Sequence, residues 1–157
     1  MSFKTPSEEL NTLYQKKHKN LLDQFSDCKD PHKTYEKIID FGKKITPAPD
    51  DIKKESNIVE GCQSLVYLSS TISEEGSIAY QIQSDALISS GLAALLFSIY
   101  DKEKIELILF CPPLFIQDLG LNKNLSPGRS NGLAGMYSRM KKDAIKFFIE
   151  KNKEDAK

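Results

Sequence analysis

Residues 86–100 are leucines, isoleucines, alanines and aromatics with almost no polar face, so a helix built from them has no side to turn to water. The rest of the chain has to fold around this segment, which is expected to be the central buried helix. Its longest apolar patch, residues 91–97, is far too short to cross a bilayer. Gly91, in its middle, costs about 1 kcal/mol of helix propensity relative to alanine, and that cost predicts another element packed closely against it. Ser84 and Asp85 precede the segment and are the expected cap. At 157 residues the chain is long enough to bury a core without disulfide staples, and one domain over residues 1–157 is expected.

Two amphipathic helices are expected ahead of it. Thr5-Pro6-Ser7-Glu8 reads as a capping box with proline at the first helical position. Leu10, Leu13, Tyr14, Leu21, Leu22 and Phe25 then make one apolar stripe, which predicts a helix over residues 5–25. His18 falls in a lysine-rich gap of the stripe and reads as a solvated histidine. Asp30-Pro31 repeats the start signal, and Tyr35, Ile38 and Ile39 carry a second helix that fades near Gly42. Cys28, in the linker between them, reads as a small, partly buried thiol. His32 has no evident partner.

The prolines of Pro47-Ala48-Pro49-Asp50-Asp51 bar a regular helix and mark a connector. Residues 65–72 are rich in strand formers, Glu74-Glu75-Gly76 signals a turn, and Ile78, Tyr80 and Ile82 alternate with polar residues as a returning strand. With a short strand near Ile58 and Val59, this predicts a three-stranded antiparallel sheet packed against helices, an α+β fold. Beyond the central helix, residues 105–110 form a short apolar turn, and Cys111 before Pro112-Pro113 reads as a core thiol. Leu125-Ser126-Pro127-Gly128-Arg129-Ser130-Asn131-Gly132-Leu133 reads as turn chemistry carrying one arginine. A final helix is expected from Leu133 through Met136, Tyr137, Met140, Ala144, Phe147 and Phe148, ending in a charged tail that frays.

Composition narrows the function. Lysine plus arginine total 22 and aspartate plus glutamate total 22, so no net charge draws the chain to nucleic acid or to an anionic membrane. Cys28, Cys62 and Cys111 are an odd set without a C-x-x-C pair, which argues against a disulfide framework or a zinc knuckle and for a reducing cytosol. The first residues offer no apolar h-region of a secretory signal. A soluble, cytoplasmic protein is expected. Phosphate-cradling glycine motifs and H-E-x-x-H are missing from the sequence.

What remains is sulfur chemistry in Asn57-Ile58-Val59-Glu60-Gly61-Cys62-Gln63-Ser64-Leu65-Val66-Tyr67. Gly61 lets the backbone turn and leaves the Cys62 sulfur open to attack. A thiolate is the nucleophile, its pKa lowered by positive charge and raised by apolar surroundings. On the residues alone, Cys62 is equally well a reactive thiol or a buried hydrophobe, and Arg129 either its charge partner or a loop-stapling arginine.

Three motifs in order resemble the SufE family of sulfur acceptors for cysteine desulfurases: Val59-x-Gly61-Cys62-Gln63-Ser64-x-Val66, Ser84-Asp85-Ala86, and Leu125-Ser126-Pro127-x-Arg129-Ser130-x-Gly132-Leu133. The resemblance covers residues 30–141, leaving the first helix and the charged tail outside. The family usually has glutamine at Leu65, tryptophan at Tyr67, histidine at Asn124 and serine at Gly128. It implies the α+β fold shared with IscU-type iron-sulfur scaffolds. It also implies that Cys62 accepts persulfide sulfur from a cysteine desulfurase, stimulates that enzyme, and delivers sulfur to an iron-sulfur assembly complex. Gly61, Gln63, Ser64, Asp85 and Arg129 would then support the loop or meet the partner. No metal or cofactor is expected on this chain, pyridoxal phosphate residing in the desulfurase. The expected pocket around the thiol is lined by Leu65, Val66, Tyr67 and the central helix. Two alternatives are an iron-sulfur scaffold of the same fold, which needs Cys28 and Cys111 near Cys62, and an activator that works by contact alone.

Overall fold

The computed structural model describes residues 6–156. Helix α1, Glu8–Gln24, is capped by Ser7, whose side chain accepts the Leu10 N–H at 3.1 Å. The cap thus lies within the expected box but later than Thr5, which is outside the described residues. Serine ahead of Glu8 and Glu9 satisfies a free N–H and places both carboxylates at the positive helix end. Helix α2, Pro31–Lys43, starts as expected, with Asp30 accepting the Lys33 N–H at 2.9 Å. A connector with two single 3-10 turns, Asp50–Ile52 and Glu55–Asn57, leads to strand β1, Val66–Ile72, and strand β2, Ser77–Ser84. Helix α3, Leu87–Tyr100, is followed by strand β3, Glu103–Lys104, helices α4, Ile105–Phe110, α5, Phe115–Asp118, and α6, Leu121–Asn124, and the long α7, Pro127–Asp155.

The sheet is antiparallel in the order β1-β2-β3, with Val66 opposite Ser84, Ile72 opposite Ile78, and Ser77 opposite Lys104. Three strands are present, but the third is not the expected one. Ile58 makes a single bridge to Tyr67. The 3-10 turn before Ile58 and the positive φ of 88° at Gly61 after it curl the chain away from β1 on both sides. The strand that completes the sheet, β3, is two residues long and polar, too short to leave an alternating pattern.

Helix α3 is the buried centre, with Leu92, Leu95, Leu96, Ile99 and Tyr100 all at or below 1% exposure. The close neighbour expected at Gly91 is α2. A Cβ on Gly42 would lie 2.6 Å from the Gly91 backbone nitrogen, and one on Gly91 would overlap the Ile38 carbonyl. The two helices therefore cross backbone to backbone. The Ser84-Asp85 cap does not form as expected: Ala86 occupies the N-cap without a side-chain bond to the helix. Ser84 belongs to β2 instead, and its hydroxyl accepts the Ala86 N–H at 3.2 Å.

Two further expectations change. The glycine-rich segment at 126–133 is the start of α7 rather than a turn, because Ser126 caps the Arg129 N–H and Pro127 takes the first helical position. The charged tail is helical to Asp155, being made of glutamates and lysines without glycine or proline. Among the described residues no helix is long and apolar enough to cross a membrane.

His18 is not solvated. It lies four residues after Tyr14 and three before Leu21, on the buried face of α1, at 8% exposure. Its ring stacks on Tyr14, and Nε2 is 2.9 Å from the Asp118 carboxylate of α5. Tyr14 in turn bonds the Pro112 carbonyl and the Leu114 N–H, so one helical turn of α1 holds the irregular segment between α4 and α5. His32 also has a partner, Glu36 at 3.0 Å, but on the surface. His18→Ala is expected to destabilise the fold by about 2–3 kcal/mol, and His32→Ala by less than about 0.5 kcal/mol. Urea unfolding of the two variants checks the difference.

Candidate functional site

The Cys62 loop is closed at its base by the Val59 N–H bonded to the Val66 carbonyl at 2.9 Å. From Glu60 to Leu65 no backbone N–H has a backbone partner outside regular structure among the described residues. Few backbone bonds and an exposed tip are the physical marks of a segment that opens locally. Gly61 makes the turn, its φ of 88° lying where a Cβ is strained.

What holds the tip comes from α7. The Cys62 S–H donates to the Gly132 carbonyl at 3.7 Å. Arg129, in the first turn of α7, donates from Nη1 to Ser64 Oγ at 2.8 Å and to Ser89 Oγ at 3.1 Å, tying the loop to the buried first turn of α3. From the other side, Ser84 Oγ donates to the Leu65 carbonyl at 3.1 Å. Arg129 thus staples the loop, and it also faces the thiol electrostatically. Burial pushes the Cys62 pKa up, and the Arg129 charge pulls it down by less, so the net direction is up. The resting group at neutral pH is a protonated, half-buried thiol.

This has a pH consequence with a definite sign. The thiol is harder to ionise with the loop closed than in solvent, so deprotonation favours the open loop. The alkylation rate of Cys62 by iodoacetamide is expected to climb about tenfold per pH unit through neutrality and to level off above the range of a free cysteine. A rate already flat at pH 7 would contradict it.

The expected thiol pocket is built differently. Leu65 is 57% exposed, Val66 is fully buried in the core beneath the sheet, and the thiol rests on α7. Gln63 is exposed at the tip, above Gly128. Asp85 is exposed and makes no side-chain hydrogen bond among the described residues, whereas its neighbour Ser84 reaches the loop. The structure therefore brings together Gly61, Cys62, Gln63, Ser64 and Arg129, and leaves Asp85 at the rim. Sequence reasoning missed Ser89, Ser84 and the contribution of Gly132. Ser89 carried no signal, being one of three serines in an apolar run.

The other thiols lie elsewhere. Cys28 sits between α1 and α2, with Asp27 and the Lys33 carbonyl nearest its sulfur. Cys111 is buried after α4, its carbonyl accepting from the Tyr100 hydroxyl. All three are free, and among the described residues no group of three His, Cys, Asp or Glu side chains is placed to hold a metal ion.

These features define an α+β protein with one half-buried loop thiol beside an arginine staple. The family model for SufE, described as the Fe-S metabolism associated domain, matches residues 19–144. The chain belongs to the SufE family, whose domain is associated with Fe-S metabolism. It is 35% identical over 151 residues to SufE-like protein 1, chloroplastic/mitochondrial, of Arabidopsis thaliana, covering 96% of this chain and 39% of that longer protein. It is 35% identical over 127 residues to an uncharacterized SufE-like protein of Synechocystis, covering 81% and 79% of the two chains. The solution structure of a hypothetical protein from Thermus thermophilus shares the fold, with a TM-score of 0.67 at 23% identity over 83% of this chain and 94% of that one.

Proposed function

We propose that the chain is a sulfur acceptor, in which Cys62 takes persulfide sulfur from a cysteine desulfurase and carries it to an iron-sulfur assembly complex. The observation that carries this reading is the placement of Cys62 in a SufE-family chain: a half-buried thiol at the tip of a loop held by side chains instead of a backbone ladder. Such a loop can shield a bound sulfane sulfur from reductants and then present it to a partner.

The Cys62 thiolate attacks the terminal sulfur of the donor persulfide. A new sulfur–sulfur bond forms on Cys62, the donor bond breaks, and the desulfurase cysteine leaves as thiolate. The Cys62 proton passes to solvent or to that leaving thiolate, and no external oxidant or reductant enters. Arg129 offsets part of the burial cost of the thiolate while the loop is seated, and its bond to Ser64 is the contact given up as the loop opens. In this reading Asp85, exposed beside Ser84, meets the partner. Pyridoxal phosphate remains with the desulfurase, and this chain needs no metal or cofactor of its own. Its three free cysteines suit a reducing compartment such as the cytoplasm.

The test is a mixture of the protein with a cysteine desulfurase and cysteine. Alanine release is expected to rise, with one sulfur per chain bound to protein. Faster turnover without protein-bound sulfur would leave contact activation as the correct reading.

A further inference from the structure

Gly128, Gly132 and Gly135 are spaced by four and three residues, so they share one face of α7, and the Cys62 loop lies across that face. The contacts run in order. Gly135 lies under the Glu60 carbonyl, Gly132 under Cys62, and Gly128 under Gln63. They differ in closeness. A Cβ on Gly132 would meet the Cys62 sulfur at 3.5 Å and its Cα at 3.6 Å, an ordinary van der Waals contact. A Cβ on Gly128 would lie 2.6 Å from Gln63 Oε1, the end of an exposed side chain that can turn aside. A Cβ on Gly135 would overlap the Glu60 carbonyl oxygen, which is backbone and cannot.

We propose that Gly135 is a positioning residue for Cys62: the bare backbone there lets Glu60 settle onto α7, and this seating keeps the thiol covered. The loop begins at Glu60, directly after the Val59 N–H bond that closes its base, so a displaced Glu60 carbonyl is passed on to the loop and not back into the sheet. Lifting it carries Cys62 off the Gly132 carbonyl and draws Ser64 from Arg129. The seating therefore sets how often the thiol is presented. This deepens the sulfur-acceptor reading, on which its meaning for transfer rests, but the seating itself concerns only the loop and α7.

The experiment measures iodoacetamide labelling of each cysteine by peptide mass spectrometry in the full chain, for the wild type, Gly135→Ala and Gly132→Ala. Both substitutions raise the helix propensity of α7, so neither removes a helix former. Cys111, buried, reports global opening in the same sample. Gly135→Ala is expected to speed Cys62 labelling about tenfold, as unseating a tightly packed contact would. Cys111 should stay unchanged, and the Cys62 rate–pH curve should move to lower pH as the thiol loses its burial. Gly132→Ala should leave Cys62 as slow as in the wild type. An unchanged Cys62 rate in Gly135→Ala, a rise matched by Cys111, or an equal rise in Gly132→Ala overturns the proposal. Because the probe is an alkylating reagent, failure here leaves sulfur acceptance standing, and failure of sulfur acceptance leaves the labelling result intact.

Discussion

Cys62→Ser is expected to lower sulfur loading of the protein by at least about 10³-fold, because a serine hydroxyl is almost un-ionised at neutral pH and attacks sulfur poorly. Stimulation of the desulfurase should fall with it if turnover is limited by unloading of the donor cysteine. The fold should survive. Cys62 is only partly buried, its sulfur makes one weak hydrogen bond, and serine differs from it by one atom, so the stability change should stay within about 1 kcal/mol. Alanine release and protein-bound sulfur, measured together with a thermal melt, separate lost chemistry from lost structure. Full stimulation by a folded Cys62→Ser protein would mean that the chain acts by contact.

The second large effect concerns the scaffold that presents this loop. Gly91→Ala should stabilise the chain by about 1 kcal/mol if only helix propensity mattered. The packing reverses the sign. The added methyl would overlap the Ile38 carbonyl, and Gly42 offers no room on the other side, since its own missing Cβ faces the Gly91 backbone at 2.6 Å. Separating two helices to admit one methyl group costs more than propensity returns, with a net loss of about 2–3 kcal/mol. For a domain of this size that is a fall of roughly 5–10 °C in Tm. Calorimetry checks it, and a Tm equal to or above the wild type would show that α2 and α3 are not locked at this crossing.

Much of this architecture can be read from the residues. The apolar run of α3 demands a central position, Gly91 anticipates its close neighbour, and Asp30-Pro31 marks the start of α2. The alternation around Ile78, Tyr80 and Ile82 identifies β2. The failures have physical causes. His18 is buried because of its place between Tyr14 and Leu21, while Lys16 and Lys19 beside it are exposed, so local composition misleads where periodicity does not. The strand β3 is too short for any pattern, and Ile58 lost its ladder to the turns on either side. At α7, Gly128 and Gly132, which suggest a turn, lie with Gly135 on the helix face that the loop crosses. Their spacing of four and three is a helical signature, visible once Ser126-Pro127 is taken as a helix start.

For the site, Cys62, Gly61 and Arg129 were legible as a thiol, a turn and a cation, and the family resemblance grouped them with Ser64, but the contacts that join them were not legible. The link is Ser64, whose hydroxyl joins the loop to Arg129, with Ser89 as the third point. Serines at such distances in the sequence carry no sign of meeting one guanidinium. The direction of the Cys62 pKa was equally hidden, since it depends on how far burial outweighs that nearby charge.

The central claim is that Cys62 receives the sulfur. The most direct measurement is peptide mass spectrometry of the protein after brief exposure to a desulfurase and cysteine, with alkylation to trap persulfides. One added sulfur on the peptide carrying Cys62, and none on those carrying Cys28 or Cys111, is the expected result. Sulfur on Cys28 or Cys111 with Cys62 unmodified would contradict it.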